Sequence, residues 1–211
     1  MSDIQIIQGD CLEVMKTFDD NQFDLVLTDP PYNVGIDYGG TTNDKMPDDD
    51  YGDWIGKRLV EMVRIAKTVL ITGQKPLPFL CNTIKPKWIL AWRKGGAMGR
   101  SPVGFCNYEP VAMYGKGTTT SCDIFEASII PDKSLDGHPC PKPLKWALKQ
   151  IEMFKEYENI LDPFLGSGTT AVACERMGRN RVGIEISEEY CEIARKRVQE
   201  EKDKMGLFNG D

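Results

Sequence analysis

The sequence predicts an α/β fold in which strands and helices alternate around a largely parallel sheet. Two observations carry that reading. Seven short apolar runs have the length and make-up of buried strands, and stripes of helical period lie between several of them. Segments rich in Gly, Pro and acidic residues follow two of those runs directly, where an open parallel sheet presents its ligand sites.

The strand runs are 4–8, 24–28, 68–72, 88–92, 111–114, 159–161 and 181–185. Segment 54–67 places Ile55, Leu59, Met62, Val63 and Ala66 on one helical stripe. Segment 143–157 opens with Pro143, which suits a first helical position, and aligns Leu144, Ala147, Leu148, Ile151 and Phe154. Segment 169–177 predicts a short helix closed by Gly178. Ser187 is placed to cap a last helix through Tyr190, Ile193, Ala194 and Val198. Two stretches have no period. One is 33–53, rich in Gly, Asp, Thr and Asn, which reads as a mobile functional loop; the other is 116–141.

A chain of 211 residues, 41 % hydrophobic and 27 % charged, suits one domain, or one domain with a small insertion, whose core forms without staples. No apolar run reaches the length of a membrane span, and Met1-Ser2-Asp3 carries no secretory pattern, so a soluble cytoplasmic protein is expected. The seven cysteines never fall as Cys-x-x-Cys and His138 is the only histidine, which argues against a disulfide framework, a zinc site or any multi-histidine metal centre. The net charge of −6 is unevenly spread. Residues 1–60 hold thirteen acidic and four basic side chains, whereas 85–116 hold six basic ones against Glu109 alone. Such a basic face can meet a polyanion on an acidic protein; the plainer reading is a solvated surface.

The chemistry-bearing residues follow the strand runs. After 24–28 comes Asp29-Pro30-Pro31-Tyr32. The prolines fix the chain and leave the Pro30 carbonyl free of a regular helix, Asp29 adds a carboxylate, and Tyr32 adds a flat face. Two acceptors and a stacking surface suit a planar ring bearing an NH2 group, although a tetrapeptide like this also serves simply as a turn. After 159–161 comes Asp162-Pro163-Phe164-Leu165-Gly166-Ser167-Gly168-Thr169-Thr170-Ala171, a weak form of the dinucleotide fingerprint without the Gly-Lys of a P-loop. Glu185 ends the next strand about twenty residues on, where an acid would bind ribose hydroxyls. A nucleoside-containing ligand is therefore expected. Asp10, after the first strand, reads either as an acceptor for an adenine amino group or as a helix cap.

Together these motifs resemble the amino-methylating DNA methyltransferases, and more narrowly the permuted group in which Asp-Pro-Pro-Tyr precedes the cofactor motif. The likeness runs from Gly9-Asp10 to about Val198. It takes in Trp92-Arg93-Lys94, Asn107-Tyr108-Glu109 and His138-Pro139-Cys140-Pro141-Lys142-Pro143. It implies a Rossmann-like fold with a seven-stranded, mostly parallel sheet, one strand antiparallel, and helices on both faces. It implies S-adenosyl-L-methionine as cofactor, DNA as partner and adenine N6 as target, with cytosine N4 or an RNA base as alternatives. A nicotinamide-dependent oxidoreductase is a competing class, but it leaves Asp29–Tyr32 unexplained; an inactive DNA-binding subunit is another.

By the same resemblance, Asp29 and Pro30, followed by Pro31, hold the target amine, and Tyr32 stacks on the flipped base. Phe164, Gly166, Ser167, Gly168, Thr169 and Thr170 line the cofactor, with Asp162 opening the motif and Asp29 bordering it. Glu185 takes the ribose, Asp10, Cys11 and Ile186 frame the adenine, and Lys142 closes the cofactor side. From the basic stretch 85–116, Arg93, Lys94 and Arg100 are expected to face DNA. Many members carry a sizeable target-recognition region, for which only about 118–137 is available here. A second copy of the chain would help so small a protein cover a DNA site.

Overall fold

The computed structural model describes residues 4–36, 44–95, 99–101, 104–128 and 142–208, with backbone alone at 99–101 and 207–208. In chain order the elements are β1 (Ile4–Gln8), α1 (Cys11–Met15), β2 (Phe23–Thr28), α2 (Asp48–Ile65), β3 (Ala66–Thr72), α3 (Leu77–Thr83), β4 (Trp88–Arg93), β5 (Gly99–Ser101), β6 (Gly104–Cys106), β7 (Tyr108–Gly115), β8 (Ile124–Glu126), α4 (Leu144–Glu152), β9 (Asn159–Asp162), α5 (Thr169–Arg176), β10 (Asn180–Glu185) and α6 (Glu188–Phe208).

The main sheet runs β1-β10-β9-β2-β3-β7-β4-β8. Only β7 is antiparallel to its neighbours, β3 and β4. All seven expected strands form, and the architecture is the expected Rossmann-like layering. To them the structure adds β8, a three-residue edge strand beside β4, and the small β5–β6 hairpin. Elements of three residues are too short to show a period.

The strands are apolar on both faces, as parallel strands covered by helices must be. Along β2 and β3, Val26, Val69 and Ile71 turn to a core formed with α1, α2 and α3. Leu25, Leu27 and Leu70 turn to the opposite core with α4 and α5. Helix α6 packs on α5 and β1. Each such buried Leu, Ile or Val contributes about 1.5–3 kcal/mol relative to exposure.

Element ends depart from the expected ones for local reasons. Helix α2 starts at Asp48, a turn and a half before the apolar stripe, because Asp48, Asp49 and Asp50 complement its positive end and Tyr51 is already buried. It stops at Ile65, since Ala66 is extended (φ −132°) and belongs to β3. Pro143 is the residue before α4 and not its first, and α4 ends at Glu152. Gly178, at φ +65°, ends the chain's turn after α5, and Ser187 Oγ accepts the Tyr190 N–H at 3.4 Å, both as expected.

Connections leaving β9 run toward β10, and those leaving β2 run toward β3. The sheet therefore reverses its order between the neighbours β9 and β2. That is where an open parallel sheet leaves a crevice outside its carboxyl ends.

Candidate active site

Three turns meet at this crevice and brace one another. Thr28 Oγ1, at the end of β2, donates to Asp162 Oδ1 at the end of β9 (2.7 Å). The same oxygen accepts the Phe164 N–H at 3.0 Å. Burial pushes the Asp162 carboxyl up to about 6, against the pull of the Thr28 hydrogen bond. Glu185, at the end of β10, accepts the Gly166 N–H at 2.8 Å and the Ser187 N–H at 2.9 Å, so it shapes the glycine-rich turn and the entry to α6 together. Burial raises its carboxyl too, opposed by those N–H donors. Gly168 has φ +87°, and a Cβ there would sit 2.7 Å from Ala194 Cβ, so this turn closes onto α6 only with glycine.

The turns enclose a cavity of about 270 Å³. One wall comes from α2. Trp54 lies tilted against Phe164, ring centres 5.6 Å apart, and the Arg58 guanidinium sits 4.1 Å over the Trp54 ring. Arg58 Nη2 is 2.7 Å from Asp10 Oδ2, and its Nε donates to Cys11 Sγ at 3.3 Å. Asp10 Oδ1 accepts the Leu12 N–H at 2.8 Å, so Asp10 is both a cap for α1 and part of the cavity wall. Burial pushes the Cys11 thiol up to about 11, which leaves it neutral.

The opposite end holds a chain of charged groups. The Tyr32 hydroxyl donates to Asp29 Oδ1 at 2.6 Å and lies 3.4 Å from Glu109 Oε2. Glu109 Oε1 accepts from Lys94 Nζ at 2.9 Å. Asp29 Oδ2 is ion-paired with Lys142. Burial drives the Asp29 carboxyl upward and Lys142 opposes it; burial, Asp29 and Glu109 together hold the Tyr32 phenol far above its usual range. Tyr51 Oη donates to the Pro31 carbonyl at 2.7 Å and pins the double proline to α2.

Most of the residues singled out from sequence converge here. Asp10, Cys11, Asp29, Pro30, Pro31, Tyr32, Lys142, Asp162, Phe164, Gly166, Ser167, Thr169, Thr170, Glu185 and Ile186 all line the cavity. Gly168 instead packs on α6. Of the basic residues assigned to DNA, Arg93 and Lys94 have different surroundings. Arg93 is exposed at the end of β4, Lys94 points inward to Glu109, and the Arg100 side chain lies outside the described residues. Segment 129–137, His138 and Cys140 also lie outside them.

Within 33–53, the backbone N–H groups of Asn33, Val34 and Ile36 donate to the Asp44 carboxylate at 2.6, 3.1 and 2.8 Å, closing the described ends of that loop on each other. Residues 37–43 lie outside the described residues. Sequence reasoning missed Trp54, Arg58 and Glu109 as wall residues. The available signals were the i, i+4 spacing of Trp54 and Arg58 and the isolation of Glu109 in a basic stretch. Among the described residues no group of three His, Cys, Asp or Glu is placed to hold a metal ion, and no helix is long and apolar enough to cross a membrane.

A family model described as DNA methylase (N6_N4_Mtase) matches residues 87–196. The chain is 32 % identical to YubD of Escherichia coli (strain K12), which is described as a methylase, across 92 % of this chain and 89 % of that one. Among solved structures it is similar to the cytosine-N4-specific PvuII DNA methyltransferase, with a TM-score of 0.73 at 17 % identity over 96 % of this chain and 91 % of the other. It is also similar to the M1.HpyAVI–SAM complex, with a TM-score of 0.66 at 22 % identity over 92 % and 98 %. At these identities the two structures share its fold.

Proposed function

The chain belongs to this DNA methylase family, and on that premise we propose that it transfers a methyl group from S-adenosyl-L-methionine to N6 of adenine in DNA. The observation that carries the proposal is the placing of Asp29. It is a largely buried carboxylate at the mouth of β2 that opens into the same cavity as the glycine-rich turn and Glu185. An amine acceptor and a nucleoside pocket share one space.

The donor set fits the cofactor. Glu185 is the acid for ribose hydroxyls, and an ionised carboxylate that already accepts two N–H groups still has lone pairs to offer. Phe164 and Trp54 provide the apolar wall, while Asp10, Cys11 and Ile186 frame the adenine end. When bound, the cofactor supplies a methyl group already activated on a sulfonium.

The protein's task is the nucleophile, because the lone pair of an adenine amine is delocalised into its ring. Asp29 and the Pro30 carbonyl each accept one N–H, which favours a pyramidal nitrogen. They then stabilise the positive charge that grows on it. Holding the reacting atoms in line supplies a further part of the rate. Asp29 is the nearest base for the proton that leaves the nitrogen. A base within a duplex cannot reach this cavity, so it is flipped out, at a cost of about a few kcal/mol, and stacking on Tyr32 offsets about 1–3 kcal/mol. Arg93 and Arg100 are the basic residues left for phosphates, since Lys94 is engaged by Glu109; a second copy of the chain would extend the surface that meets DNA.

Cytosine N4 is the second reading, favoured by the cytosine-N4 specificity of the PvuII enzyme whose fold this chain shares. Asp29 at the head of the tetrapeptide favours adenine, because serine there resembles the cytosine group. Incubation with unmethylated genomic DNA and tritiated cofactor, followed by digestion to nucleosides, separates them. Label in N6-methyladenosine is expected. Label in N4-methylcytosine would move the target, and no label despite cofactor binding would overturn the DNA reading.

A further inference from the structure

Lys142 stands where a target base has to go. Its ammonium is ion-paired with Asp29 Oδ2 and lies 5.1 Å from the centre of the Tyr32 ring, over its face. The other carboxylate oxygen already takes the Tyr32 hydroxyl. Both oxygens of the amine acceptor are thus engaged, and the stacking face is covered by a cation. A base that stacks on this face of Tyr32 and donates to Asp29 Oδ2 meets the ammonium in its place.

The anchoring of Lys142 permits exchange. Its backbone carbonyl accepts from Thr169 Oγ1 at 3.2 Å, which ties the main chain to the start of α5, whereas the contacts at Asp29 and Tyr32 are made by the end of a long side chain. Among the described residues, the charged and titratable groups that face Asp29 are Lys142, the Tyr32 phenol, Glu109 and Asp162. Of these only Lys142 is a cation. Lys94, the other ammonium nearby, is paired with Glu109. Removing the Lys142 ammonium therefore leaves a buried carboxylate without its counter-charge, unless something else donates to it.

We propose that Lys142 occupies the target-amine subsite of the DNA-free enzyme, that a flipped base binds by exchange with it, and that this exchange selects bases carrying an amino group. The proposal rests on the amine-binding role given to Asp29 above. An amino base returns what it displaces: an N–H donor for Asp29 and a planar face for Tyr32. A base without an amino group can displace the ammonium only by leaving Asp29 Oδ2 without a donor and the carboxylate with the Tyr32 hydroxyl alone, which is costly for a largely buried acceptor. The exchange also suits the reaction. The subsite that holds an ammonium at rest is the one in which positive charge grows on the amine nitrogen, and two cations on one carboxylate repel, so Lys142 must have left by then.

The test compares wild type with Lys142→Met, which keeps the chain length and removes the charge and the donors. Two duplexes carry the sequence identified by the methylation assay, one with the target adenine and one with purine lacking the 6-amino group. Wild type is expected to prefer the adenine duplex at least tenfold. Lys142→Met should bind both duplexes more tightly, the adenine duplex by at least tenfold, because a base no longer has to displace the ammonium, and should keep the preference that the hydrogen bond from the amino group to Asp29 provides. Its cofactor affinity by calorimetry should be unchanged. The acid limb of its methyl-transfer profile should move to higher pH, because the Asp29 carboxylate loses the charge that keeps it ionised. An unchanged affinity of the variant for both duplexes would overturn the proposal. So would a loss of cofactor affinity with duplex affinity unchanged, which would make Lys142 a cofactor ligand.

If Lys142→Met does not fold, the wild-type protein still decides. Its Lys142 ammonium resonance, assigned with Lys142→Gln, should shift when the adenine duplex binds and stay in place with the purine duplex; no shift with either overturns the exchange. Failure of the wild type to methylate DNA at all would appear in the earlier assay alone, and would overturn the underlying reading of Asp29.

Discussion

Replacing Gly168 by alanine adds one carbon to the glycine-rich turn, and the structure allows its cost to be worked out. Gly168 has φ +87°, a conformation that costs an L-residue about 1–2 kcal/mol. The new Cβ would lie 2.7 Å from Ala194 Cβ and 2.9 Å from Ala194 Cα, and overpacking of this kind costs about 1–3 kcal/mol. The sum is about 2–5 kcal/mol, a large part of the stability of an ordinary domain. At about 2–4 °C per kcal/mol for a chain of this size, Gly168→Ala should lower Tm by roughly 4–20 °C. Thermal unfolding followed by circular dichroism measures it. Adding Ala194→Gly removes the contact at 2.7 Å but neither the strain at φ +87° nor the contact at 2.9 Å. The double variant should therefore recover part of the loss, even though Ala194→Gly alone destabilises α6 by about 1 kcal/mol. An unchanged Tm for Gly168→Ala, or additive effects in the double variant, would refute the reasoning. Cofactor affinity should fall with stability, because Gly166 and Ser167 in the same turn line the cavity.

Asp29→Ala should abolish methyl transfer in the tritium assay while calorimetry shows cofactor binding largely intact; full activity would remove Asp29 from the mechanism. Glu185→Ala leaves the Gly166 and Ser187 N–H groups without their acceptor, each charge-assisted bond being worth about 1.5–3 kcal/mol. Both Tm and cofactor affinity should drop, and an unchanged dissociation constant would place the ribose elsewhere. Burial raises the Asp162 carboxyl from 3.8 to about 6, so its contribution to stability is full below about pH 4 and is lost as pH rises through about 6. Asp162→Asn keeps an oxygen for Thr28 and Phe164 and has no proton to lose. Each pH step of one between those two values weakens the wild type by about 1.4 kcal/mol, so the variant should gain about 3 kcal/mol on it between about pH 4 and about pH 7.5 in denaturant titrations. Parallel pH profiles would count against it.

The layered fold was legible because its main strands are continuous apolar runs and its ligand turns are marked by residues with backbone consequences: two prolines after β2, two glycines after β9. Arg58 shows why the wall was less legible. On α2 it reads as one more exposed base on an amphipathic helix. Only folding carries it across 48 positions to Asp10, where it is buried. Glu109 is similar: its meaning lies in Tyr32, which is 77 positions away in the chain. Lys142 was legible as a site residue through the resemblance, which set it on the cofactor side; its ammonium is found on Asp29. In each case the backbone pattern is local and so can be read, whereas the partner of a charged side chain is not.

Four neighbouring strands, β1, β10, β9 and β2, each end at a carboxylate: Asp10, Glu185, Asp162 and Asp29. What separates their roles is who holds them. Asp10 accepts backbone N–H groups at the start of α1 and pairs with buried Arg58. Glu185 is held by the N–H groups of Gly166 and Ser187, and Asp162 by the Thr28 hydroxyl and the Phe164 N–H. These three cannot change partners without opening a turn or a helix end, so they serve as fixed acceptors and braces. The hydrogen-bond and ion-pair partners found for Asp29 are both side chains, the Tyr32 hydroxyl and the Lys142 ammonium. A side-chain rotation is enough to replace them. Of the four, Asp29 is therefore the carboxylate that can hand its hydrogen bonds to an incoming amine and take them back after the product leaves, and the fold supplies the other three so that nothing else has to move.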